Sequence, residues 1–461
     1  MNHVRRSNPV RDALIDHALG SHEFPQRARE AAAVFLEDTV MVGLAGSANP
    51  ERACLVQTAR HWSNAGPARL WGDGRAQTTA TAALINAYQI HCQEFDCVHE
   101  PAVVHPMAVI GGALMSWAQA HGPVRGRELL DAIIVAVDAA TVLGMMARTP
   151  MRFFRPAMCG ALGASLGLAR LAGFDVETTR RALGLSYCQL SGNMQSHVEG
   201  TPGLALQIGF NARAAVGGAE LAAAGMAGPV EVIDGPFGYL ALIEQDYDSS
   251  PVKQLGRIWQ IERVSHKPFP TGRAAHAALD GLEQLLSAGL DVESIDRIEL
   301  HAPPLIRRLV DRPARPDMSA SYARLCLPWL ISVRLARGRL GLADFSPEAL
   351  ADPLRWSRVD CLEIMADDNP DPNALSPQRL SIVTRSGQRH EINLPQVLGA
   401  PERPLDKAAR TAKAQACWGH AGISDARGKR LLERLRSIAT LDTLDPIFEL
   451  LTPADAADAS A

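Results

Sequence analysis

From about residue 26 to residue 250 the chain reads as one helix after another, rich in alanine, leucine and glycine and separated by short glycine-marked turns. Stretches such as 161–173 (ALGASLGLARLAG) and 212–225 (ARAAVGGAELAAAG) carry little side chain to hold neighbours apart. Helices of that kind approach closely, so the chain is constrained to a buried, helix-on-helix body. Apolar residues recurring at three and four positions predict helices over 26–46, 78–90, 106–121, 126–147, 158–172 and 206–224. Asp175 is placed to cap a further helix running toward Cys188.

The pattern changes near residue 265. Ile295–His301 and Val359–Met365 alternate apolar and polar residues, Leu380–Leu394 reads as a hairpin turning at Ser386-Gly387, and a helix is predicted over 320–336. This is an α+β unit, after which helix formers return from Asp406, with a basic amphipathic run over 427–438 and a frayed Ala- and Asp-rich tail after Thr452. The expected organisation is therefore mainly α. A large all-helical domain (1–264) is joined by C-terminal helices (398–461), with a smaller α+β unit over 265–397. Residues 367–377 (DDNPDPNALSP) read as a surface loop.

Composition narrows the function classes. Forty-six Lys and Arg against fifty Asp and Glu leave a formal charge of −4 with neither sign gathered into a run, so nucleic acid and membrane surfaces are not expected partners. Eight cysteines without a CxxC pair suit free thiols and a cytoplasmic location, and neither a leader-like apolar stretch nor a run of about eighteen apolar residues is present. No GxGxxG in a strand–turn–helix setting, GxxxxGK[ST], GxSxG or CxxCH occurs, which leaves nucleotide, α/β-hydrolase and haem readings without support.

Chemistry concentrates in 91–106 (HCQEFDCVHEPAVVHP), where His91, Glu94, Asp96, His99 and His105 fall close together. Three readings are open: a metal site, general acid/base work, or a solvated helix end. The block lacks HExxH and its prolines put His99 and His105 in loop, so no metal is expected, while histidine beside a carboxylate suits acid/base use. Cys92 or Cys97 beside these histidines is a further nucleophile candidate, without a third triad member. A second segment, 267–276 (KPFPTGRAAH), sets Lys267, Arg273 and His276 on a proline-stiffened stretch suited to a carboxylate ligand or to a solvated linker. The loop 197–203 (HVEGTPG) and Arg155 ahead of a helix are weaker candidates.

Taken together, these stretches resemble the MmgE/PrpD family, which includes 2-methylcitrate dehydratase, cis-aconitate decarboxylase and iminodisuccinate epimerase. His91, Glu94, Phe95, Asp96 and His99, with His105-Pro106 after them, are similar to the family's H-x-x-D-F-D-D-x-H block and the HP that follows it. Leu36-Glu37-Asp38-Thr39, Gly228-Pro229, Asp234-Gly235-Pro236-Phe237-Gly238 and Lys267-Pro268-Phe269-Pro270 running to His276 match in the family's order. The resemblance implies a helical domain with an α+β lid, a homodimer, no cofactor, and a site between the domains for a small di- or tricarboxylic acid. It implies proton abstraction beside a carboxylate, ending in dehydration, decarboxylation or epimerisation. His105 and Asp96 are the expected acid/base pair, with His276 and His99 in reserve. Lys267, Arg273 and Arg155 are expected to hold carboxylates, with Glu94 and His91 beside them. The chain departs from the family at Arg155, Leu204, Gln207, Gly272 and Cys97, so a carboxylate-binding member without turnover is the alternative.

Overall fold

The computed structural model describes residues 9–63 and 65–452; the tail after Thr452 lies outside the described residues. Ten helices build the first part of the chain: α1 (Pro9–Leu19), α2 (Gln26–Ser47), α3 (Arg52–Trp62), α4 (Thr79–His91), α5 (Pro106–His121), α6 (Gly126–Met145), α7 (Arg155–Leu171), α8 (Val176–Tyr187), α9 (Gln195–Glu199) and α10 (Gly203–Ala223). Between α3 and α4 the short strands β1 (Ala68–Arg69) and β2 (Ala76–Gln77) pair antiparallel. Helix α10 packs on α4, α7 and α8, and α4 on α2 and α5.

Local chemistry accounts for most boundaries. Thr78 accepts the Thr81 N–H to start α4, and Asp175 Oδ1 accepts the Thr178 N–H at 2.7 Å to start α8. The helix expected from Met158 begins earlier, at Arg155, because Pro156 sits in the first turn, where a missing N–H costs nothing. Helices α1 and α3 were not expected; both are short and carry several charged residues. The small residues do the work their composition implied. A Cβ built on Gly46 in α2 would lie 1.9 Å from the Gln89 carbonyl oxygen of α4, so the two backbones cross in contact there.

The second part holds α11 (His276–Ser287), α12 (Pro304–Val310), α13 (Ala320–Ala323), α14 (Leu327–Arg337) and α15 (Pro347–Ala351) around a four-stranded sheet. Its strands are β3 (Ile295–Ala302), β4 (Leu362–Ala366), β5 (Gln378–Thr384) and β6 (Arg389–Leu394), in the order β4-β3-β5-β6. The β3–β4 pair is parallel; β3–β5 and β5–β6 are antiparallel. The expected hairpin is β5–β6, with Gly387 at φ 85° in its turn. Two expectations are corrected here. The helix read over 320–336 is two helices, because Pro328 cannot continue one begun at Ala320. The strand read from Val359 starts at Leu362, after a 3₁₀ turn.

Helices α16 (Lys407–His420), α17 (Asp425–Arg436) and α18 (Asp445–Leu451) close the chain, with α16 and α17 lying against α2. Lys413 pairs with Asp38 at 2.7 Å and Arg436 with Glu37 at 2.9 Å. One buried apolar cluster runs from Val10 to Leu451 and includes Ile298 and Leu380 of the sheet, so helical body and sheet share a core. No single helix among the described residues is long and apolar enough to cross a membrane. All eight cysteines are free thiols.

Candidate active site

The site begins where α4 ends. His91 is its last residue, the Glu94 N–H bonds back to the His91 carbonyl at 2.9 Å, and Glu94 takes φ 49°. The chain then runs past Asp96 into a bridge in which Val98 and Ser265 exchange both backbone hydrogen bonds, at 3.0 and 2.7 Å. That bridge lays 91–106 beside 264–276. A 3₁₀ turn over Glu100–Ala102 and a left-handed Val103 (φ 51°, ψ 47°) fold the block back so that His105 stands immediately before α5. A positive φ is costly for a β-branched residue, so the surrounding contacts must hold Val103 there.

Asp96 is fully buried and accepts from both neighbouring imidazoles. His91 Nδ1 lies 3.0 Å from Oδ2, and His105 Nδ1 lies 3.2 Å from the same oxygen. An ionised carboxylate only accepts, so each Nδ1 carries its proton and the Nε2 of a neutral His105 is left with its lone pair. Lys267, also fully buried, reaches Glu94 Oε2 at 2.9 Å, its carbonyl at 3.2 Å and Asp96 Oδ1 at 3.9 Å. Burial would raise both carboxyls. Lys267, followed by the two histidines, instead holds Glu94 at about 2, and His91, His105 and Lys267 hold Asp96 well below the carboxylate range. The histidines part company. Burial and then Lys267 lower His105, whereas for His91 the pull of Asp96 and Glu94 outweighs burial and raises it. One imidazole is thereby shifted toward its neutral form and the other toward its charged form.

His91, Glu94 and His105 face a cavity that also meets His197 and Arg273. Its remaining wall is largely apolar, including Met151, Phe154, Met194, Leu204, Leu325 and Leu375. Leu375 comes from the stretch expected to be a surface loop; the rest of that stretch is exposed or half-buried, but this side chain turns inward and is buried. Nearby, Asn373 Oδ1 accepts from Arg155.

The other expected site residues lie around this cavity at varying depth. His99 does not reach it: its Nδ1 accepts the Ala102 N–H and its Nε2 donates to Gln260, and burial lowers it to about 4. His276 lies at the start of α11, facing the Thr271 carbonyl and the edge of Phe269, lowered well below its usual value by burial and Arg273. Arg273 borders the cavity, yet its guanidinium bonds Glu100 at 2.8 Å and the carbonyls of His266, Val397 and Leu398. Arg155 is paired with Glu244, at 3.2 and 3.3 Å. Burial pushes the Cys92 and Cys97 thiols up, so both stay protonated and are poor nucleophiles.

Ligand atoms of His91, Asp96 and His105 lie within 4.8 Å of one another, close enough for one ion to bridge. A metal there would displace both imidazole–carboxylate hydrogen bonds and sit beside the Lys267 ammonium, which already supplies positive charge. Two contributors were underrated or missed. His197, read as part of a loop over 197–203 but standing in the short helix α9, ends up on the cavity wall, and Arg312 stands behind it with Nη2 3.4 Å from His197 Nδ1. The only sequence signal for either was the polar loop ahead of α10.

Residues 17–251 match the model of the MmgE/PrpD N-terminal domain, and residues 269–436 match that of the MmgE/PrpD C-terminal domain. No match was found among curated proteins.

Proposed function

Since the chain belongs to the MmgE/PrpD family, which includes dehydratases and decarboxylases, we propose that it is a cofactor-independent lyase or isomerase that acts on a small carboxylic acid beside its carboxylate. The observation that carries this reading is the buried Asp96, which bonds Nδ1 of His105 and leaves a neutral imidazole nitrogen on the cavity wall. In the proposed reaction His105 Nε2 takes the proton from the carbon next to the carboxylate. The electron pair left behind forms a carbon–carbon double bond as hydroxide leaves, or recovers a proton on the opposite face. In a decarboxylation the pair comes from the bond to departing carbon dioxide, and a protonated histidine returns a proton to that carbon. His91, held as a cation by Asp96 and Glu94, together with Lys267, gives the negative charge of the transition state a fixed positive field in a site that excludes bulk water.

Proton NMR in D₂O tests this with the full chain and a panel of citrate, 2-methylcitrate, cis-aconitate, tartrate, iminodisuccinate and short 3-hydroxy acids. Catalytic exchange of the proton beside the carboxylate, reduced by about 10²-fold or more in His105→Ala, is expected. Thermal stabilisation by these acids with no exchange would favour a carboxylate-binding protein instead. A cytoplasmic location fits the free thiols. A homodimer fits the exposed apolar residues gathered between 198 and 247, among them Phe237 at 77% and Val198 at 64%. How many carboxylates the cavity accepts depends on the cations that face it.

A further inference from the structure

Most cations around the cavity already have partners within the protein. His91 and Lys267 lie against Glu94 and Asp96, Arg273 is committed to Glu100 and Arg155 to Glu244, and Arg324 is held by Gln93 and the Pro270 carbonyl. Glu94 itself lies on the wall and repels a carboxylate brought near it. A second carboxylate placed against this wall would lose its hydration and find Leu204, Met194, Leu325 or Val310.

Arg312, like Arg324, meets no carboxylate, but unlike Arg324 it leaves a guanidinium nitrogen without a partner. It is 9% exposed, and its contacts are His197 Nδ1, the Leu309 carbonyl and the Tyr322 ring, none of them a carboxylate. Its Nη1 is buried with no hydrogen-bond partner among the described residues. A buried guanidinium without an anion is unfavourable unless a ligand supplies one. Because arginine only donates, the bond from Nη2 makes His197 Nδ1 an acceptor and puts the proton on Nε2. Burial and Arg312 also lower His197 to about 4, so it stays neutral at ordinary pH.

We infer that Arg312 and His197 form a place for one carboxylate, and that the substrate carries this single carboxylate together with an apolar arm seated against Leu204, Met194 and Leu325. This rests on the proposed reaction and names its substrate class. His197 offers its Nε2–H to the carboxylate, and Arg312 fixes that tautomer while contributing charge. The apolar wall replaces the cations that a di- or tricarboxylate would require.

The test compares exchange at the carbon beside the carboxylate, by NMR in D₂O, for two sets of acids. One set is 3-hydroxyhexanoate, 3-hydroxy-2-methylbutanoate and 3-hydroxy-3-phenylpropanoate; the other is citrate, cis-aconitate and tartrate. With the unaltered full chain, at least one acid of the first set should exchange about tenfold faster or more than any of the second, the equivalent of one charged hydrogen bond. For that acid, His197→Leu and Arg312→Met should each raise KM about tenfold or more while kcat changes by less than about threefold. His197→Gln, which keeps an N–H donor, should recover most of the KM. If a polycarboxylate exchanges fastest and His105→Ala abolishes it, the proposed reaction stands and the single-carboxylate inference falls. Exchange with none of the acids removes both. An unchanged KM in folded His197→Leu removes His197 from carboxylate binding. The comparison of the two sets needs no variant, so it separates the two substrate classes even where a variant fails to fold.

Discussion

At the scale of residues the site turns on one carboxylate shared by two imidazoles. Asp96 holds both, yet their surroundings drive them apart: His105 is lowered and His91 raised from the ordinary 6.5. The neutral form of His105 is fully present only above its lowered pKa, and the charged form of His91 only below its raised one. The kcat/KM profile is therefore expected to be bell-shaped, its acid limb below pH 6.5 and its alkaline limb above. In Asp96→Asn the main partner raising His91 is gone, so the alkaline limb should move toward acid and the bell narrow or vanish; an unmoved limb would show that His91 does not set it. The block 91–106 was legible because residues of this kind rarely crowd so closely by accident, and Lys267 because it stands among prolines. The duties of His99, Arg155 and Arg273 were not, since their partners, Gln260, Glu244 and Glu100, are fixed only by folding. Arg312 was missed for the same reason: an arginine's sequence neighbours do not reveal whether its guanidinium will end up buried without an acid.

At the scale of elements, close helix contact fixes where His91 points. Gly46 lets α2 lie against the end of α4, and a methyl group there would collide with the Gln89 carbonyl, two residues before His91. Gly46→Ala is expected to destabilise the protein by about 1–3 kcal/mol, read as a lower urea midpoint at unchanged slope. It should also lower activity out of proportion to stability. A midpoint equal to that of the unaltered chain would mean that the two helices separate easily. Helix positions were readable from the 3.6-residue period in the small-residue stretches. Breaks such as Pro328 were written in the sequence but outweighed by the apolar pattern, and α1 and α3 were obscured by their polar residues. The sheet was legible as alternation and a glycine turn, whereas its order β4-β3-β5-β6 depends on contacts that no local pattern encodes.

At the scale of the whole molecule, several histidines are buried in the neutral form. His99, His197 and His266 are each lowered to about 4, chiefly by burial. The unfolded chain takes up protons at these positions near pH 6.5, before the folded one does. Stability is therefore full above about pH 6.5 and lost progressively as pH falls toward 4. Calorimetry across that window should show a falling Tm, and a flat Tm would contradict neutral burial of these groups. Phe237, Met226, Val230 and Leu242 are large apolar side chains left exposed, and the proposed homodimer would give them a place to be buried. Phe237→Asp should shift the protein toward monomer in light scattering at micromolar concentration, whereas an unchanged mass would place the interface elsewhere.

The return of the final helices to α2 has a consequence for how the protein comes into being. Asp38 and Glu37 are buried in α2, but the cations that neutralise them, Lys413 and Arg436, lie in α16 and α17 and are translated long after it. Lys413 also donates to the Phe95 carbonyl, next to Asp96. While the ribosome is still elongating the chain, α2 holds two acids that cannot be covered, and the backbone beside Asp96 lacks its support. The candidate pocket is therefore supported in full only once α16 and α17 have been made and have folded back on α2.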